Sequence, residues 1–151
     1  MMHKILLLIF VLFMSCNQDK STQTDQVIYT KIGKGILTGQ GEEGISKSNW
    51  VVTNEKDWNH LKAKMNTINQ ETSHFTETQI DFSKYIVIAT FDSIRQQGGS
   101  YISIANVVKN TSNTVVCTKY IEDNSPFATH VVNQSYHLVK IEKTNLPIIF
   151  E

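Results

Sequence analysis

Asp81-Phe-Ser-Lys-Tyr-Ile-Val-Ile-Ala-Thr-Phe91, a polar connection ending in Gly98-Gly99, and Ser100-Tyr-Ile-Ser-Ile-Ala-Asn-Val-Val108 form the stretch that decides the fold. Tyr85 to Phe91 is apolar in both alternating phases, which predicts a strand covered on both sides. Ser100 to Val108 is rich in β-branched and aromatic residues, and a simple alternation puts Ile102, Ile104 and Val108 on one face. Asp92-Ser-Ile-Arg-Gln-Gln-Gly-Gly99 carries turn formers, so the reading is two strands joined by a mobile connection. The remaining elements then pair with, cover or tether these two.

Working outward, Val27-Ile-Tyr-Thr-Lys-Ile32 reads as an opening strand. Five glycines follow, at 33, 35, 39, 41 and 44. Gly33-Lys34-Gly35 lacks the strand-to-helix setting and the Gly-Lys-Ser/Thr ending of a phosphate loop, so a bulged hairpin edge is the better reading. Asn49-Trp-Val-Val-Thr53 is a short strand leading into a helix. Thr53 or Asn54 can cap that helix, and Glu55 and Asp57 stand in its first turn, where the dipole favours acids. Trp58, Leu61, Met65 and Ile68 then make one apolar stripe, with Trp58 as a core anchor. Asn69 to Gln79 is polar and reads as a connection. Asn110-Thr-Ser-Asn113 is a hairpin turn by composition, and Thr114 to Ile121 a strand. Ala128 to Val132, Tyr136 to Ile141 and Pro147 to Phe150 are further short strands. One helix among many short strands predicts an α+β fold, mainly antiparallel; a curled sheet, a partial barrel and a sandwich all stay open.

Composition bounds the partners. At 151 residues with 40% apolar and 19% charged side chains, the chain has the makings of one globular domain. The 14 basic groups balance 14 acidic ones, and Arg95 is the single arginine. Without a basic surplus there are few counterions to release, so nucleic acid drops out as a partner.

The amino terminus reads as a leader. His3-Lys4 precedes the apolar run Ile5 to Phe13 and then Met14-Ser15-Cys16, the pattern of a secretory signal, and the run is too short for a permanent span. Phe13-Met14-Ser15-Cys16 resembles a bacterial lipobox, with Phe and Met in place of the usual smaller residues. That resemblance implies cleavage before Cys16 and lipid on its sulfur and amine, which together make a stable anchor. The expected division is therefore residues 1–15 as signal peptide, 16–26 as a flexible tether without large apolar side chains, and 27–151 as the domain. Removing Lys4 with the leader leaves 13 basic against 14 acidic groups, a mature charge of about −1.

Reactive groups are sparse. With Cys16 lipidated, Cys117 stands alone and no intrachain disulfide can form. Its in-phase neighbours Val115 and Ile121 predict a buried, inert thiol. His60, His74, His130 and His137 lack the close spacing of a metal site, so no metal and no cofactor are expected. His137, out of phase with Tyr136 and Leu138, reads as a surface or hydrogen-bond-satisfied residue. The carboxylates Glu42-Glu43, Asp81, Asp92 and Glu122-Asp123 show no pairing that would mark acid–base work, and no reaction is expected. The loop Arg95-Gln-Gln-Gly-Gly-Ser-Tyr101 differs from these. Arg and Tyr dominate interface hot spots, and loops on a rigid scaffold carry function, so Arg95, Gln97, Gly98, Gly99 and Tyr101 are candidate protein-binding residues.

Trp50 to Trp58 entering the helix, Ile80-Asp-Phe-Ser-Lys84 before an apolar strand, Gly98-Gly99-Ser-Tyr101, Tyr136-His-Leu-Val-Lys-Ile141 and terminal Ile149-Phe150 occur in an order that resembles the C-terminal domain of the protease-complex-subunit PrcB family of bacterial lipoproteins. The resemblance runs from Gly35 to Phe150. Ser135 stands where the family often has Pro, and Asp92-Ser93 where Gly is usual. It implies a non-enzymatic accessory of the cell envelope that stabilises or assists an envelope protein, a protease among the candidates. The expected location is a membrane surface, the outer membrane first, with the domain outside the cytoplasm. The competing expectation is a lipoprotein that carries an apolar small molecule inside a curled sheet.

Overall fold

In the computed structural model, which describes residues 24–96, 98–122 and 131–151, β4 (Tyr85–Phe91) is an inner strand of a sheet ordered β2-β7-β4-β3. Its neighbours are β3 (Ser48–Val52) and β7 (Gln134–Glu142), and β2 (Tyr29–Leu37) pairs with the far side of β7, all antiparallel. A second sheet is ordered β1-β5-β6-β8, from β1 (Asp25–Gln26), β5 (Tyr101–Lys109), β6 (Thr114–Ile121) and β8 (Ile148–Phe150). The fold is α+β, with one α-helix among the described residues, α1 (Glu55–Met65), and two mostly antiparallel sheets. They face each other as a sandwich and do not close into a barrel.

The double apolarity of β4 now has its cause. Val87, Ala89 and Phe91 pack toward α1 with Trp58, Leu61, Met65, Tyr136 and Leu138. Ile86 and Ile88 point the other way and meet Ile104, Val107, Val116, Val139 and Ile141 between the sheets. β4 and β7 therefore carry two cores at once, as a strand covered on both faces must. The chain order misleads on one point: β4 and β5 are not paired with each other. β4 pairs with β3 and β7, and β5 with β1 and β6, so the connection between them passes from one sheet to the other.

Local chemistry sets the element ends. Asn54 caps α1 by accepting from Asp57 N–H at 3.0 Å, with Glu55 and Asp57 in the first turn and Lys62 and Lys64 in the last. The helix stops at Met65, so Ile68 falls outside the stripe and is 44% exposed. The Asp81-Phe-Ser-Lys84 turn is held by its first residue. The Asp81 carboxylate accepts from the Ser83 amide and hydroxyl, which holds its pKa below the usual value. The Asp81 carbonyl in turn accepts from Lys84 N–H and Tyr85 N–H and so starts β4. Asn110 organises the β5–β6 turn in the same manner, its Oδ1 accepting from Ser112 and Asn113 amides.

Two irregularities defeat simple alternation. The β5–β6 register shifts between Ile104 and Asn106, a bulge that reverses the phase of β5. Val107 is therefore a fully buried core residue and Val108 is only half-buried, the opposite of what unbroken alternation predicts. A second shift, between Lys31 and Gly33, lies in β2. Two residues on, Gly35 makes room for the buried hydroxyl of Tyr136, which donates to Glu71 in the short 3₁₀ turn Glu71–His74. A Cβ at Gly35 would stand 2.9 Å from the Tyr136 oxygen and 3.1 Å from the Glu71 oxygen, so only glycine lets that bond form. Burial, with the Glu71 carboxylate beside it, pushes the Tyr136 phenol well above its usual pKa.

The closing strand β8 is parallel to β6 and covers one half of its edge, with Glu151 N–H donating to Val116 and Thr118 N–H to the Glu151 carbonyl. Cys117 is half-buried, not deep in the core. Val116 takes the position facing the opposite sheet, and Cys117 falls in the other phase, with the buried Val115. Residues 128–130 of the expected strand before β7 lie outside the described residues. Asn133 just beyond it makes an isolated bridge with Arg95.

Candidate functional site

The loop singled out by sequence leaves β4 at Asp92, and its first residues are tied to the body of the protein. Asp92 N–H donates to the Ser135 carbonyl at 2.9 Å, and Gln134 Nε2 donates to both the Asp92 and the Ile45 carbonyls at 2.8 Å. Arg95 exchanges two backbone hydrogen bonds with Asn133. Its guanidinium then turns back onto the Asp92 carboxylate, Nε to Oδ2 at 2.7 Å and Nη2 to Oδ1 at 3.3 Å. The Asp92 side chain is 3% exposed and that of Arg95 37%. The contact with Asp92 raises the Arg95 pKa above its usual value.

Arg95 also lies over the Tyr120 ring, 4.3 Å from the centroid. The two form one wall of a surface groove of about 530 Å³. Lys47, Ser48 and Asn49 also line it, with Thr118, Glu122 and Ile102. Asn49 is fixed by accepting from the Thr90 hydroxyl at 2.7 Å. Ser48 and Asn49 belong to β3, the last strand of its sheet among the described residues.

Among the candidate residues, the structure brings Arg95 to this groove and turns Tyr101 elsewhere. Tyr101 sits under Lys34 of β2, whose ammonium is 4.3 Å from the ring centroid. Gly98 and Gly99 lie on the connection between them, and Gly99, at φ 90°, occupies a backbone region that favours glycine. Gln97 and the lipidation candidate Cys16 lie outside the described residues, as do Asp123 and His130. The residues that sequence reasoning missed are Asp92, Gln134, Tyr120 and the Lys47–Asn49 segment. Only the Asp92-x-x-Arg95 spacing could have signalled one of them, as an ion pair within a single turn.

One cluster invites a nucleophilic reading and fails it. Ser103 Oγ is 3.2 Å from Lys34 Nζ and 3.4 Å from His137 Nδ1. The Nδ1 lone pair is already taken by Ile104 N–H at 2.9 Å, so it has no strong hold on the serine proton. His137 Nε2, buried, meets no hydrogen-bond partner among the described residues, so no carboxylate orients the ring. Among the described residues no group of three or more His, Cys, Asp or Glu is placed to hold a metal ion. No helix among them is long and apolar enough to cross a membrane. No family model matches the chain, and no curated protein and no solved structure match it.

Proposed function

We propose that this protein is a lipid-anchored accessory of the bacterial cell envelope that binds another envelope protein, a protease being the first candidate. In this reading it performs no chemistry itself. The observation that carries the binding half is the groove walled by Arg95, Tyr120 and the β3 edge. It joins a rigidly held arginine–tyrosine pair to Ser48 and Asn49 of the last strand of its sheet among the described residues, a combination suited to an extended partner segment adding as a strand. The asparagine and lysine along Lys47–Asn49 would read side chains of that segment. The anchoring half rests on the lipobox-like Phe13-Met14-Ser15-Cys16 and the polar tether after it. The resemblance to PrcB-type lipoproteins supports the same reading, on the residues from Gly35 to Phe150.

A photo-reactive residue in place of Ser48 tests the groove in cells. A discrete adduct with one envelope protein is expected there. None is expected from the same residue in place of Lys143, which lies at the opposite end of β7 and bonds to Lys84. Equal labelling at both positions, or none at Ser48, would contradict the assignment.

A further inference from the structure

We propose that the neutral imidazole of His137 is an acid-released latch on the outer edge of β5, holding Tyr101–Asn106 closed where no strand among the described residues pairs with it. The inference is independent of the partner assigned above.

β1 covers only one end of that edge, at Val108 and Lys109, with Val27 N–H adding a bond to the Val107 carbonyl. Beyond it the exposed amides of β5 are met by side chains of the opposite sheet. Ile102 N–H donates to Ser135 Oγ and Ile104 N–H to His137 Nδ1, both at 2.9 Å. Tyr29 completes the cover from β2, its hydroxyl donating to the Ile104 carbonyl at 3.3 Å. Ser135 and His137 are buried, so these bonds are shielded from water. Open strand edges invite pairing with other chains, and this edge is kept shut by two side chains instead of a neighbour strand.

The chemistry of the two closures differs. A serine oxygen accepts at any pH. Nδ1 of His137 accepts only while it carries no proton, which fixes the hydrogen on Nε2. Protonation would set two N–H groups against each other at 2.9 Å and break the closure at Ile104. The surroundings resist that proton. Burial comes first, then the charges of Lys34 and Lys31 on β2, and together they lower the His137 pKa to about 4. Lys34 is the register partner of His137 on β2, and the non-titrating Thr90 is its partner on β4. From β5 it faces Ser103, with Tyr101 beyond under Lys34. An opened edge restores water and the ordinary value near 6.5. The folded value is the lower one, so the closure is at full strength above about pH 6.5, weakens as pH falls, and has lost all this support below about pH 4.

Amide hydrogen exchange read residue by residue tests this. Between pH 7 and pH 4, after correction for intrinsic rates, the protection of Ile104 should fall by about 100-fold, while amides of the β4–β7 ladder fall far less. His137→Asn presents an oxygen that accepts without titrating, and its Ile104 protection should stay flat. Following the His137 ring by NMR in the unaltered protein keeps the test valid if that variant does not fold. The ring of the folded protein should then titrate at the lower end of the pH range over which Ile104 protection falls, near pH 4. A flat wild-type profile, an equal fall in the Asn variant, an equal fall across the β4–β7 ladder, or a folded-state ring that titrates near its ordinary value of about 6.5 would each overturn the latch.

Discussion

Trp58→Ala should lower the free energy of unfolding by about 3–5 kcal/mol, the usual range for deleting a large buried aromatic. Trp58 is 1% exposed and lies in the core between α1 and the β2-β7-β4-β3 sheet. Its ring stacks on Phe75, centroids 5.9 Å apart, and its indole N–H donates to the Thr78 carbonyl at 2.9 Å. Lys62 also donates to that carbonyl, so the acceptor is not orphaned by the substitution and the cost is mainly the cavity. Trp58→Phe keeps most of the volume and should recover more than half of the loss. Urea unfolding followed by circular dichroism measures both. A domain of this size commonly has a margin of about 5–15 kcal/mol, so the Ala variant should be visibly fragile. A loss under about 1 kcal/mol would mean that α1 is not clamped to the sheet through this residue.

Arg95→Ala should cost about 3 kcal/mol, because it leaves the Asp92 carboxylate buried without its cation. The lost stacking on Tyr120 adds to this. Adding Asp92→Asn should return part of the stability, since a neutral amide is far cheaper to bury alone than a carboxylate. If the double variant is no more stable than the single one, the ion pair is not what holds this corner. The result also bears on how binding experiments are read. A partner lost on changing Arg95 would first report a loosened loop, so the exposed Lys47 or the half-buried Ser48 of the same groove gives the cleaner probe.

The parts of the fold legible in sequence were those where local pattern and tertiary role agree. Tyr85–Phe91 could only be a doubly covered strand, and Asn54 followed by Glu55 and Asp57 could only begin a helix. The sandwich was not legible, because nothing in Asp92–Ser100 says that the chain changes sheets there. Ile104–Asn106 hid a bulge, since an extra residue in a strand leaves the composition unchanged while reversing which side chains face inward. The parallel pairing of β8 with β6 escaped, because three residues cannot announce a partner 34 positions earlier, at Thr114. The loop at Arg95 was legible as unusual, but not its division of labour. An arginine that folds back on an acid three residues before it looks, in one dimension, the same as one that reaches outward. Ser135 and His137 were opaque for a similar reason. Their role is to satisfy amides of β5, which lie more than thirty residues away in sequence.

Mooring to a lipid surface through Cys16 is the central proposal for how this domain works. Fractionation of a bacterial host making the full chain tests it. The unaltered protein should sediment with membranes and enter solution only with detergent, whereas Cys16→Ser should appear folded in the soluble fraction. A wild-type protein that is soluble without detergent, or a Ser variant retained on membranes as fully as the wild type, would contradict it.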